Sequence, residues 1–280
     1  MMPGATARRP SRPQRARGVA RLQIRADRGG SQLQRLFQEG CAKIRFPTAA
    51  LGDRDAVLIN TAGGVTGGDC FDWTIEVGDN ARCTALTQAC EKAYRSDGDT
   101  ARIGVKLTVG AGGRLDWLPQ ETILFDHARL ERTFEINLAD DARFLAVEAV
   151  ILGRRAMGET VTQAHLLDRW RVRRDGELIF ADAFRLASEA ASLIGPTALL
   201  DGAGAYALVL LAGGEAETRL DAVRTALEAV KDAGRFGVSA FGGKLICRIS
   251  APDGVGLRRA LLPVMAVLRD GAAPPRLWMV

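Results

Sequence analysis

Strict alternation of apolar and polar residues runs through most of this chain. It confines those stretches to half-buried β-strands, because only a period of two puts every second side chain on one face. In 71–77, Phe71, Trp73, Ile75 and Val77 alternate with Asp72, Thr74 and Glu76. In 102–109, Ile103, Val105, Leu107 and Val109 form the apolar set, and in 133–138 it is Phe134, Ile136 and Leu138. Asp175-Gly176 between two such runs signals a hairpin. Turn residues recur at Gly78-Asp79-Asn80, Asp97-Gly98, Gly110 to Gly113 and Asp140-Asp141. Short strands with such punctuation predict a mainly β body. The stretch 143–152 differs, since Phe144, Ala146, Val150 and Leu152 share one face and Leu145, Val147, Ala149 and Ile151 the other. It reads as a strand covered on both sides. Glu148 lies within it, and a carboxylate so placed needs a partner or takes a raised pKa. An ion pair with an arginine and a functional role both stay open.

Two helical patterns stand near the C-terminus. Over 217–233, Leu220, Val223, Leu227 and Val230 recur at helical spacing, with Gly234 placed to cap the end. Over 257–269, Leu257, Leu261, Val264 and Leu268 do the same, and Pro263 predicts a kink or a late start. Each stripe can face the core or a partner, and the core reading is favoured. Leu245, Cys247 and Ile249 alternate as a strand between them, which makes Cys247 a core residue. No internal repeat and no linker is apparent after residue 20, so residues 19–280 read as one domain behind a tail of residues 1–18.

Charge is uneven. Residues 1–28 hold eight arginines against Asp27, a net +7 of the chain's total of +5, which leaves −2 for the rest. The tail is arginine-rich and has no apolar stretch, so it reads as a solvated extension rather than a secretory signal. No aromatic residue stands among its arginines to stack on bases, so nucleic-acid binding is not expected. No run approaches 18 apolar residues, so no membrane span is expected. The five cysteines, Cys41, Cys70, Cys83, Cys90 and Cys247, have no C-x-x-C spacing. That pattern argues against a disulfide framework or a structural zinc site and fits a reducing cytoplasm.

The glycine-rich stretch 60–73, NTAGGVTGGDCFDW, resembles a phosphate loop only superficially. A P-loop needs Lys-Ser/Thr after its glycines and must open a helix. Here Asp69 follows, and then an alternating strand. The stretch is a bend that presents Asp69 and permits close approach by another chain. There is no G-x-S-x-G, and His127 and His165 are the only imidazoles available as a base, so a hydrolase is not expected. Imidazole and thiolate are scarce, so a tight transition-metal site is not expected either. The more notable groups are carboxylates in apolar or glycine-rich surroundings: Asp69, Glu91, Glu121, Glu148 and Glu159. Oxygen ligation suits weak, labile binding of divalent ions. An acid–base glycosidase would need two carboxylates in an open cleft, and an aromatic fraction of 6% offers few sugar platforms.

Four blocks in order, GGVTGGD (63–69), LTQACEKAYRS (86–96), LDWLPQETILFDHA (115–128) and AVILGRRAMGE (149–159), resemble the signature blocks of the UreD (UreH) urease accessory family. WRVRRDGELI and LICRISAPDGVGLRRALLPVMAVL continue the likeness more loosely. Cys70, Cys90, Glu91 and Gly242-Gly243 depart from the family pattern. The resemblance implies stacked, twisted β-structure with two helices toward the C-terminus. It implies a non-enzymatic chaperone in a hetero-oligomer with UreF, with the UreG GTPase through UreF, and with apo-urease, helping to deliver nickel. No tightly bound cofactor is implied, only transient nickel. By position, Asp69, Glu148 and Glu159, with Ser96, would line a nickel path. Gly63, Gly64, Gly67, Gly68, Tyr94, Arg95, Ser96, Pro119, Gln120 and Glu121 would shape a channel or partner surface, and the helix pair would meet UreF. The alternative is a β-rich binding module unrelated to urease.

Overall fold

Each alternating segment becomes one strand, and the strands are shared between two sheets. The computed structural model describes residues 14–47, 54–154, 157–186 and 200–279. The tail read as 1–18 therefore lies outside the described residues up to position 13. Ala16 is already tied down by its amide, 2.7 Å from Asp69 Oδ1. The seven-stranded sheet holds β1 (Arg17–Asp27), β2 (Gly30–Gly40), β5 (Cys70–Val77), β8 (Ala101–Val109), β11 (Arg129–Leu138), β13 (His165–Arg174) and β14 (Glu177–Leu186). Its order is β14-β13-β11-β8-β5-β1-β2. The ten-stranded sheet holds β3 (Ala42–Arg45), β4 (Arg54–Asn60), β6 (Arg82–Thr87), β7 (Glu91–Ala93), β9 (Arg114–Trp117), β10 (Thr122–Leu124), β12 (Arg143–Leu152), β15 (Ala205–Ala212), β16 (Arg235–Phe241) and β17 (Lys244–Ala251). Its main order is β16-β17-β15-β12-β9-β6-β4-β3, with β10 pairing β12 and β7.

The connectivity is a winding. From β4 to β13 the chain crosses back and forth between the sheets, with β7 and β10 as short additional strands of the ten-stranded sheet, so β5, β8, β11 and β13 lie parallel in one sheet and β4, β6, β9 and β12 parallel in the other. At one end, tight turns join β5 to β6, β8 to β9 and β11 to β12. These turns stack: Gly110 N donates to Val77 O at 2.8 Å, and Ala139 N to Val109 O at 2.9 Å. Long crossovers occupy the other end. The winding is a structural repeat that no sequence repeat announced. Its common trace is seven residues at each tight turn, VGDNARC, VGAGGRL and LADDARF. Identity there is too low to register as a repeat, because hydrogen-bonded backbone and small residues satisfy the geometry in several ways.

Inward-facing residues of both sheets form one core, with Leu22, Phe71, Ile75, Leu107, Leu115, Phe134 and Phe144 all essentially inaccessible. The outer face of the ten-stranded sheet is covered by α1 (Leu220–Glu228) and α2 (Gly254–Leu268). That double cover is why β12 is apolar on both faces. The helices differ from their sequence reading at the ends. The segment 217–233 is α-helical only over Leu220–Glu228, flanked by 3-10 turns, and Gly234 is extended rather than a left-handed cap. The second helix starts at Gly254, where Asp253 Oδ1 accepts from Gly256 N at 2.8 Å, and it continues through Pro263. Both apolar stripes are core: Val223, Leu227, Leu257, Leu261, Val264 and Leu268 are buried against the sheet. A partner meeting these helices would meet their outer faces, polar on α1 and on α2 carrying Val255, Leu262, Pro263 and Val267 beside Arg259.

Replacing Leu261 with alanine should cost about 2–5 kcal/mol, the range for emptying a fully buried leucine site. The check is a urea unfolding curve with a lowered midpoint and an unchanged slope. An unchanged midpoint would return the stripe to the surface.

Candidate functional site

Because the tight turns gather at one end, the long crossovers stack at the other, and they carry all four motif blocks. The bend at 63–69 docks on the segment 93–99. Val65 forms a bridge with Ala93, Thr66 Oγ1 donates to Arg95 O at 2.8 Å, and Tyr94 Oη donates to Gly63 O at 3.3 Å. Two of the glycines are dictated by this contact. A Cβ on Gly64 would lie 2.3 Å from the Tyr94 ring, and one on Gly67 would lie 2.1 Å from Ser96 Oγ and 2.3 Å from Asp99 O. The close approach expected at these glycines comes from the protein's own chain. Gly63 and Gly68 have positive φ, and the added atom at Gly63 would meet nothing. The next crossover stacks on this one, with Ser96 N donating to His127 O at 3.0 Å.

Asp69 closes the same joint. Its Oδ1 accepts from Ala16 N and its Oδ2 from Thr66 N at 2.8 Å. Both oxygens serve backbone amides, and Asp69 does not line the cavities described below. Glu159 closes the last crossover. It accepts from Arg154 N and Arg154 Nε at 3.0 and 2.9 Å and from Asp126 N at 3.2 Å. Burial would raise its carboxyl, but the Arg154 hydrogen bonds outweigh burial and hold it below the ordinary glutamate range. Of the three candidate metal residues, Glu148 alone faces the space between the sheets.

Pro119, Gln120 and Glu121 are all buried, so they form no exposed partner surface by themselves. The C-terminal segment covers them: Trp278 Nε1 donates to Leu118 O at 3.0 Å and Gln120 Nε2 to Leu277 O at 3.1 Å. Arg258 of α2 grips Glu121 through Nε and Nη2 at 2.6 and 3.0 Å. Cys90 Sγ lies 3.4 Å from Glu121 Oε2. Burial, and then the Glu121 charge, push the Cys90 thiol up to about 11, which keeps it protonated.

The centre of the site is ionic. Arg132 points inward from β11 and is 5% exposed. It donates to Asp168 Oδ1 from Nε at 2.7 Å, reaches Asp168 Oδ2 through Nη2, donates to Thr122 Oγ1 at 2.8 Å, and pairs with Glu148 Oε2 at 2.8 Å. Trp117 Nε1 donates to the other Glu148 oxygen at 3.1 Å. Glu148 thus has its arginine partner, yet burial outweighs that attraction and raises its carboxyl to about 7. Glu91 holds the Asn60 amide at 3.1 and 3.3 Å, and burial raises it to about 7 as well.

Three cavities meet around this cluster. The first, of about 310 Å³, opens beside Gly63 and Cys90 and reaches in to Glu91, Arg132 and Glu148. A second void, of about 10 Å³, lies between Glu148, Asp168, Asp182 and Tyr206 and has room for about one water. The third, of about 540 Å³, opens between β14 and β16, with Phe184, Tyr206 and Arg248 on its wall. Glu148 lines the first and second, and Phe184 and Tyr206 line the second and third. The row therefore runs between the sheets from the crossover end to their open edges. Phe184 and Tyr206 stack at 4.5 Å between centroids across the narrow passage, and Arg248 pairs with Asp182 at 2.9 Å. His127 and His165 line a separate surface depression. Among the described residues, no three His, Cys, Asp or Glu side chains converge to hold a metal ion.

Sequence reasoning passed over Arg132 and Asp168. Both occupy the inward phase of their strands, Arg132 between Leu130 and Phe134, and Asp168 between Leu166 and Trp170. They also face each other in the β11–β13 register. Opposite charges at apolar-phase positions of neighbouring strands were the available signal. It becomes readable only once the two strands are known to pair.

Gly67→Ala should cost about 1–3 kcal/mol, the range for overpacking, because Ser96 Oγ and the Asp99 carbonyl would both have to shift to admit the new methyl; the urea midpoint measures it. Glu91 binds a proton more tightly in the folded state, at about 7 against an ordinary 4.5. Between those values the native state holds more protons, so Glu91 makes stability fall as pH rises from about 4.5 to about 7. Glu91→Gln removes that slope. The stability of the variant relative to the parent should improve by up to about 3 kcal/mol between pH 5 and pH 8, read from paired urea titrations.

The chain matches the family model described as UreD urease accessory protein over residues 16–279. It is 48% identical over 271 residues to the urease accessory protein UreD of Chelativorans sp. (strain BNC1), covering 97% of this chain and 96% of that protein. It is 48% identical over 268 residues to that of Rhizobium rhizogenes, with 96% and 97% covered. Against that of Sinorhizobium medicae it is 44% identical over 268 residues, with 95% and 96% covered. Matches of that extent span the windings, the ionic cluster and both helices alike, and the chain belongs to the UreD urease accessory protein family.

Proposed function

We propose that this protein acts in urease maturation as a non-enzymatic chaperone that helps deliver nickel to the urease active site. Its place in the family carries the role in maturation. The single observation that supports nickel passage is the row of three cavities between the sheets, with Glu91, Glu148, Asp168 and Asp182 along it. Nickel is the cargo. Carboxylate oxygens bind such an ion weakly and release it readily, which fits transfer rather than storage. The narrow void admits about one water, so passage requires Phe184 and Tyr206 to separate. The chain is assigned a scaffold role among UreF, UreG held through UreF, and apo-urease, working in the cytoplasm. One mouth of the row lies beside the stacked crossovers and the other between two sheet edges, so partners at the two ends would feed and receive the ion.

The test is urease produced with its maturation proteins in the presence and absence of this chain, assayed for nickel content and activity. Both should collapse without it and return when it is supplied. Glu148→Ala should lower urease nickel severalfold while the complex of accessory proteins and apo-urease still assembles on gel filtration. Wild-type nickel content with this variant would remove Glu148 from the path. Equal nickel with and without the chain would leave a β-rich binding module.

A further inference from the structure

We infer that Arg132 is a resident counter-cation that keeps the cavity row from retaining the divalent ions that enter it. The inference rests on the reading above, that ions pass between the sheets. Its geometry is independent of that reading. The guanidinium lies at the wall of the first cavity and occupies the positions a metal ion would need. Both Asp168 oxygens and one Glu148 oxygen are turned to it, and Thr122 Oγ1 completes its donors. Among the described residues no three His, Cys, Asp or Glu side chains converge to hold a metal ion, and the Asp168 and Glu148 oxygens are turned to the guanidinium instead.

The charges give the arrangement its sense. Glu91, Glu148 and Asp168 carry up to three negative charges, and Arg132 returns one. The remainder reaches −2 when all three are ionised, which draws a dication toward the cavity. A fixed guanidinium inside the same low-dielectric space repels that dication at short range. The bidentate fork on Asp168 and the stacking over Phe134, 5.5 Å from the ring centroid, hold the group in place. Arginine suits this task because it stays charged where a buried lysine would shed its proton. Burial opposes the charge on Arg132, but Asp168 and Glu148 outweigh it and raise its pKa further. The carboxylates therefore attract a passing ion, while their best-placed oxygens stay committed to a cation that cannot leave.

The test is divalent-ion retention by the isolated chain. Wild type and Arg132→Met are loaded with nickel chloride, desalted and measured for metal per chain, with affinity taken by titration calorimetry. Removing the guanidinium should convert negligible retention to about one ion per chain and tighten binding at least ~100-fold. Adding Glu148→Gln to Arg132→Met should abolish the gain. Breaking one side of a buried ion pair can unfold a protein. Arg132→Met with Asp168→Asn removes the pair together, leaves Glu91 and Glu148 facing the cavity, and should also gain retention. Folding is verified by near-ultraviolet circular dichroism. A folded variant of either kind that binds no more tightly than wild type overturns the inference. The two readings separate cleanly. If Arg132→Met retains nickel while urease is loaded normally, the counter-cation role stands and passage through the cavities falls. If it retains none, the counter-cation role falls whatever urease loading shows.

Discussion

Parallel pairing across successive windings is the constraint on which the rest of this structure depends. A parallel strand cannot be joined to its neighbour by a tight turn, so the chain must leave the sheet and return. Here it returns through a strand of the facing sheet instead of a helix. Each crossing therefore adds one strand to both sheets and one layer to the core between them. Backbone groups of one winding are satisfied by the next, including those in the stacked turns.

This winding divides the labour between the two ends. Where the crossing is tight, small residues and stacked amides leave no room for variation in path. Where it is long, the segments 60–70, 87–101, 117–129 and 157–165 lie on one another. The glycine bend, the Tyr94-Arg95-Ser96 run and the buried Pro119-Gln120-Glu121 turn become one surface with a cavity mouth in it. The C-terminal segment and α2 reach the same place through Trp278 and Arg258. Helices that cover the outer face of one sheet are thus mechanically tied to the lining of the space between both.

Ionic groups between two sheets are costly unless each is paired, and here Arg132 pairs with Asp168 within its own sheet and with Glu148 across to the other. Arg132 and Asp168 come from the seven-stranded sheet, while Glu148, Thr122 and Trp117 come from the ten-stranded one. The cluster fixes the two faces against each other at the point where the cavities meet. It also leaves two carboxyls, Glu91 and Glu148, near the midpoint of their titration at neutral pH.

Local periodicity determined a good deal of this protein by itself. Strands 71–77, 102–109 and 133–138, the doubly covered strand around Glu148, the Asp175-Gly176 hairpin and two amphipathic helices were all legible, because each depends on which face of a short segment is apolar. The motif blocks that resembled the family lie at the crossovers, where Gly64 and Gly67 meet the next winding too closely for a side chain. The tertiary structure alone decided that the strands wind between two sheets, since pairing partners lie about thirty residues apart and leave no local trace. It decided that Asp69 and Glu159 are spent on backbone amides and an arginine while Glu148 faces a cavity, because a carboxylate's role is set by what the fold brings within 3 Å of it. It brought Arg132 to Asp168 and Glu148 for the same reason: charge pairing acts through space, and the sequence records only the charges.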